Sequence, residues 1–157
     1  EHPVTEMITG VDIVKESILV AAGEPLSIRQ EDVTITGHAI ECRINAEDPD
    51  RDFMPQAGVV ETYRPPGGYG VRIDSHVVSG YRIPSNYDSM IAKLIVHGRD
   101  RNEAIARMKS ALSEFKIGPG KTTIPLHLRL MDEPCFHAMD VDIHYVERLL
   151  DSAPTKS

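Results

Sequence analysis

Arg43 stands between Glu41 and Asn45 in a stretch where polar residues alternate with Ile40, Cys42 and Ile44. A guanidinium is a permanent cation with a planar fork of donors, suited to a carboxylate, a phosphate or a developing oxyanion. On pattern alone, its simpler role is one half of a surface ion pair worth under about 1 kcal/mol. Glu1, ahead of His2 and Pro3, reads locally as a solvated terminal charge. Cys135, His137, Asp140, Asp142 and His144 place metal-compatible atoms in one short segment. They lack a repeated pair at ligand spacing, and Asp142 is needed as a helix cap, so no metal site is expected. His38, His76, His97 and His127 are scattered, and local sequence marks no serine or cysteine as a nucleophile paired with one of them. Acyl-transfer chemistry therefore has no support.

Two glycine-rich segments invite a phosphate-binding reading and fail it. In Gly118-Pro119-Gly120-Lys121-Thr122 a lysine follows glycine, as in loops whose backbone donors cradle phosphates. The first glycine of such a loop would fall where Phe115 stands, and the segment follows a helical pattern instead of a strand. A helix stop plus loop is expected there. Pro65-Pro66-Gly67-Gly68-Tyr69-Gly70 leads into a strand pattern, so no helix N-terminus is on hand for a pyrophosphate. A strand connection is the expectation.

The elements that must position Arg43 follow from periodicity. Thr9 is the expected cap of one amphipathic helix through Ala22, with Val11, Val14, Ile18, Ala21 and Ala22 on its apolar face; Gly23 and Pro25 end it. From Val33 to Ala46 the period becomes two, which predicts a half-buried strand with Arg43 on its polar face. Pro49 to Gly58 reads as a loop anchored by Phe53 and Met54, followed by strands at Val59 to Tyr63, Gly70 to Val77 and Met90 to His97. Asp100 and Glu103 form a capping box for a helix whose core stripe is Ala104, Ile105, Met108, Ala111, Leu112 and Phe115. Thr123 is expected to cap a short helix through Leu130, and Asp142 to open a last one through Leu150. Strands in the middle and helices at both ends predict an α+β fold with an antiparallel sheet or small barrel-like core. The sequence shows no internal repeat.

At 157 residues the chain can bury a sizeable core. Its 41% hydrophobic and 26% charged residues are ordinary for a globular protein, and no apolar run nears the roughly 20 residues of a membrane span. The net charge of −7, without a dense basic cluster, argues against nucleic acid as a partner. Two cysteines, Cys42 and Cys135, give neither a disulfide framework nor a zinc pattern, which fits an intracellular, reducing address. The first residue is Glu instead of Met, and the sequence reads as part of something longer.

Three blocks add a resemblance. Glu1-His2-Pro3-Val4-Thr5-Glu6-Met7-Ile8-Thr9-Gly10-Val11-Asp12-Ile13-Val14, His38-Ala39-Ile40-Glu41-Cys42-Arg43-Ile44-Asn45-Ala46-Glu47-Asp48-Pro49 and Tyr87-Asp88-Ser89-Met90-Ile91-Ala92-Lys93-Leu94 resemble, in order, the C-terminal part of biotin carboxylases. The Pro-Pro-Gly-Gly turn, the Arg101 to Glu114 helix and the His144-Tyr145 ending are similar too, so the resemblance covers nearly the whole chain. It implies residues 1–31 as the end of an ATP-grasp region, 32–150 as the biotin carboxylase C-terminal domain and 151–157 as a frayed tail.

The resemblance implies a ligase that carboxylates N1′ of biotin on a carrier protein, using bicarbonate and ATP with Mg²⁺ or Mn²⁺. Glu1 matches the general base that deprotonates bicarbonate. Arg43 matches the arginine that stabilises the biotin enolate oxygen, with Asp88 as its orienting partner. Tyr69 and Arg72 match homodimer-interface positions, where some members carry phenylalanine for Tyr69. Biotin carboxyl carrier protein and a carboxyltransferase are the implied partners. Acetyl-CoA carboxylase of fatty acid biosynthesis is the expected setting, beside propionyl-CoA, methylcrotonyl-CoA, urea and pyruvate systems. The implied address is the bacterial cytoplasm, with an organelle form open. The family's glycine-rich lid, phosphate-binding lysine, acidic metal ligands and bicarbonate-gripping segment all precede the position of Glu1. The piece alone is thus expected to be inactive, and the α-helix after Thr9 to expose an apolar face. A non-catalytic dimerisation or docking module is the alternative.

Overall fold

In the computed structural model, which describes residues 2–151, the chain opens with α1 (Pro3–Thr9), a proline in its first turn. It bends at Gly10 (φ 71°) into α2 (Ile13–Ala21). The helix expected from Thr9 to Ala22 is therefore α2, starting only at Ile13, and α1 is an additional helix ahead of it, stopped by a left-handed residue that glycine adopts without strain. Thr9 is not a cap: its hydroxyl donates back to the Thr5 carbonyl at 2.6 Å. Asp12 caps α2 by accepting from the Lys15 N–H at 2.9 Å. No residue of α2 is buried, and Val14 and Ile18 are exposed as expected of its apolar face.

The first long strand, β1 (His38–Asn45), starts later than Val33, since the Thr36 N–H donates to the Ile8 carbonyl of α1 (2.8 Å) and Ile35 faces solvent. Short strands follow as β2 (Glu47–Asp48), β3 (Met54–Pro55), β4 (Gly58–Val59) and β5 (Thr62–Arg64). Then come β6 (Val71–Ser75), β7 (Arg82–Ile83) and the second long strand, β8 (Met90–Gly98). The expected Val59 to Tyr63 strand is split: buried Val60 bonds the Tyr81 carbonyl, leaving β4 to pair with β7 and β5 with β9 (Lys116–Gly118). The α+β expectation holds. β1, β8 and β6 form a three-stranded sheet in that order, β2 pairs with β3, and every ladder is antiparallel.

α3 (Arg101–Glu114) is capped by Asp100, which accepts from the Glu103 N–H at 2.9 Å. The Glu103 carboxylate returns to the Arg99 N–H (3.0 Å), one residue before the cap. Ala104, Ile105, Met108, Ala111 and Leu112 bury the expected stripe against Cys42, Ile44, Leu94 and Val96 of the sheet. Phe115 continues it, meeting Tyr63 edge to face at 5.6 Å. Full burial of such side chains contributes about 1.5–3 kcal/mol each. The chain ends in α4 (Ile124–Asp132), α5 (Pro134–His137) and α6 (Tyr145–Asp151). α6 begins past Asp142, whose carboxylate accepts from the His144 N–H and from Arg148. The remainder of the tail lies outside the described residues.

The side chains of β8 alternate, so the sheet has a second face. On it Ile95 is fully buried, and Arg72, in register with Ile95, reaches Glu6 of α1 at 2.6 Å. Glu6 also accepts from the Ile13 N–H (3.0 Å), so one nearly buried carboxylate joins α1, α2 and the sheet. Arg43 belongs to this same face.

Candidate functional site

Period-two alternation places Cys42 and Ile44 in the core and leaves Arg43 pointing away from it. Its Nη2 donates to Asp88 Oδ2 at 2.5 Å, joining residues that are far apart in sequence. Asp88 is held in turn: its other oxygen accepts from the Met90 N–H (3.0 Å) at the start of β8. The side chains are 50% and 60% exposed, so the pair is a weak stabiliser. Directly opposite Arg43 on β8 is Lys93, which makes no ion pair among the described residues. Asp74, opposite Lys93 on β6, is engaged by Arg72. Arg43 and Lys93 thus face each other as neighbouring cations, with Asp88 bonded to the first and Glu41 two residues before it on the same strand face.

Asp88 also lines a cavity of about 460 Å³ with His76, Tyr81, Ile83, Pro84 and Tyr87. That size suits a small apolar group. The arrangement can therefore seat an apolar moiety beside a fixed cation and stabilise charge developing on an oxygen.

The other sequence candidates fall as follows. Glu1 lies outside the described residues. Tyr69 is 91% exposed with Arg107 over its ring at 5.6 Å, while Arg72 is held by Asp74 and Glu6, so the two do not touch as one anchor pair. Hydrogen bonds donated to Asp74 and Glu6 raise the pKa of the Arg72 guanidinium further. Gly70 between them has φ 71°, and a Cβ there would meet the His97 carbonyl at 2.6 Å. In the metal-compatible segment, His137 Nε2 bonds the Met131 carbonyl (2.8 Å) and His144 faces Glu147 (3.1 Å). Gly118 ends β9 and is not the stop of α3, so its loop does follow a strand; Phe115 still fills the first glycine position. Cys42 is no nucleophile, since burial pushes its thiol up to about 12.

The contacts that Thr123 and His127 make with β1 escaped the sequence reading. Thr123 precedes α4 as expected, yet its hydroxyl caps no helix. It accepts from the Asn45 N–H (3.0 Å) and donates to the Arg43 carbonyl (3.2 Å), and His127 Nε2 meets the same carbonyl at 2.9 Å. Only proximity in space could have revealed this.

Residues 41–148 match the family model described as biotin carboxylase C-terminal domain, and residues 1–29 match the ATP binding domain of the carbamoyl-phosphate synthase L chain. The chain is 57% identical over 150 residues to the biotin carboxylase of Pseudomonas aeruginosa, covering 96% of this chain and 33% of that protein. It is 56% identical over 147 residues to biotin carboxylase 1 of Bacillus subtilis, covering 94% and 33%. The chain thus spans about a third of the length of its curated relatives. Among solved structures, the biotin carboxylase domain dimer of Hydrogenobacter thermophilus 2-oxoglutarate carboxylase, in complex with MgADP, ADP and bicarbonate, superposes with a TM-score of 0.92 at 48% identity, covering 98% of this chain and 35% of that one. No helix among the described residues is long and apolar enough to cross a membrane.

Proposed function

The chain belongs to the biotin carboxylase family, and from that membership we propose that it forms the C-terminal part of a ligase carboxylating N1′ of biotin on a carrier protein. ATP, with Mg²⁺ or Mn²⁺, would supply the activation of bicarbonate. No group of three or more His, Cys, Asp or Glu side chains able to hold a metal occurs among the described residues. In this reading, which rests on the family resemblance, nucleotide and metal contacts belong to the parts of the family beyond the 33% that this chain covers, and the chain by itself is inactive.

The observation that carries the reading is the bond from Arg43 to Asp88, a residue that itself lines an apolar cavity. Arg43 presents a permanent cation to the ureido oxygen of biotin as negative charge builds there. Asp88 orients that cation, and Glu1 is the base that takes the bicarbonate proton. Tyr69 and Arg72 are assigned to a homodimer interface on the resemblance; the dimer of the related 2-oxoglutarate carboxylase domain supports dimer formation. The partners are biotin carboxyl carrier protein and a carboxyltransferase, in the cytoplasm. Acetyl-CoA is the proposed final acceptor, in fatty acid synthesis, with pyruvate and 2-oxoglutarate as the acceptors that the names of other relatives put forward.

The test is Arg43→Ala in the full-length enzyme. The ratio of biotin carboxylation to bicarbonate-dependent ATP cleavage without biotin is expected to fall about a hundredfold, the loss typical of a removed oxyanion donor. Equal loss of both activities would refute the role.

A further inference from the structure

We propose that the first turn of α4 positions Arg43, with Thr123 and His127 holding its carbonyl and so fixing the point on β1 from which the guanidinium reaches the site. The inference rests on the reading of Arg43 just given. β1 lies at the edge of the β1–β8–β6 sheet, so its backbone groups facing away from β8 have no strand to pair with. The start of α4 takes that place. The Thr123 hydroxyl accepts from the Asn45 N–H and donates to the Arg43 carbonyl, at 3.0 and 3.2 Å. The Thr123 N–H donates to the Asn45 carbonyl at 3.1 Å. His127 adds a second donor to the Arg43 carbonyl at 2.9 Å, and because a carbonyl only accepts, its proton sits on Nε2. Thr123 is buried, with its one proton and a lone pair both in use.

The strand needs this support at Arg43. The β1–β8 register shifts between Ile44 and Asn45, so the ladder alone does not fix the chain just past Arg43. Lys93, directly opposite, repels the guanidinium across the ladder. Asp88 holds the head of Arg43, and α4 holds its root. Neither Thr123 nor His127 needs to touch substrate; both act through the arginine, which makes them positioning residues.

The experiment uses the full-length carboxylase and the ratio of biotin carboxylation to biotin-free ATP cleavage, a ratio that general loss of folded enzyme leaves unchanged. His127→Leu is expected to lower it about tenfold, the worth of one well-placed hydrogen bond. His127→Gln, whose amide can donate from nearly the same point, is expected to restore most of it, and Thr123→Val to lower it while Thr123→Ser does not. In an Arg43→Ala background, His127→Leu is expected to change the ratio no further. A normal ratio in His127→Leu, or an undiminished effect of His127→Leu without Arg43, overturns the positioning role. A normal ratio in Arg43→Ala overturns the reading of Arg43 and the inference with it, which separates the two failures.

Discussion

Asp88→Asn is a sharp test of how the site is aimed. The change is nearly isosteric: an asparagine oxygen can still accept from the Met90 N–H, now 3.0 Å from Asp88 Oδ1, so the entry to β8 is kept. What disappears is the charge 2.5 Å from Arg43 Nη2. With side chains 50% and 60% exposed, the pair contributes under about 1 kcal/mol, which in a chain of this size moves the melting temperature by no more than about 2–4 °C. The chemical effect is easier to read. Arg43 loses its ion-pair partner, and a contact worth under about 1 kcal/mol holds the aimed rotamer by up to about fivefold, so the fraction aimed at the site falls by up to about that factor. Steady-state carboxylation of biotin by the full-length enzyme is expected to drop by that factor, with the KM for ATP unchanged and the thermal melt nearly superimposable. An unchanged rate would show that the carboxylate does not aim Arg43. A melt lowered by about 10 °C would show that the pair is structural, against the exposure argument.

Leu94→Ala removes a fully buried side chain in register with Cys42 and Ile73, and denaturant unfolding is expected to show a loss of about 2–5 kcal/mol. A pH dependence follows from two histidines. Burial, then the nearby Arg101, lowers the pKa of His38; burial lowers that of His127 against an opposing pull from the Arg43 carbonyl. The folded chain therefore binds fewer protons than the unfolded chain just below pH 6.5, so this stability is full above that value and is lost as pH falls through the window beneath it. The unfolding midpoint is expected to fall between pH 7 and pH 5, and His38→Gln to flatten the slope; an unaltered slope would remove His38 from the account.

Where local signals acted alone, the sequence was readable. The α3 cap at Asp100 and the buried stripe behind it, and the alternation that turns Arg43 away from the core, all rest on contacts within a few residues. The short α1 was hidden because it lies ahead of the apolar repeat that begins at Val11 and ends on the single positive φ of Gly10. The split after Val59 was hidden because β4 and β5 find different partners, a choice made by β7 and β9. Periodicity could not have paired Arg43 with Asp88; that pairing came from the resemblance. The role of Thr123 was misassigned for a similar reason: as a helix cap it would act locally, whereas its hydroxyl serves a strand much earlier in the chain.

The backbone hold on Arg43 also has a consequence in time. His127 follows Arg43 by 84 residues, and β8, the strand that pairs with β1, also comes long after it in the chain. Contacts of such separation form late and slow folding, because a long loop must close before they return any energy. On a ribosome adding about 5–20 residues per second, β1 would wait several seconds for β8 and longer for α4. Meanwhile its apolar side, Ile40, Cys42 and Ile44, lies open. The arginine is thus among the earlier parts of this chain to be synthesised and among the last to acquire its working geometry.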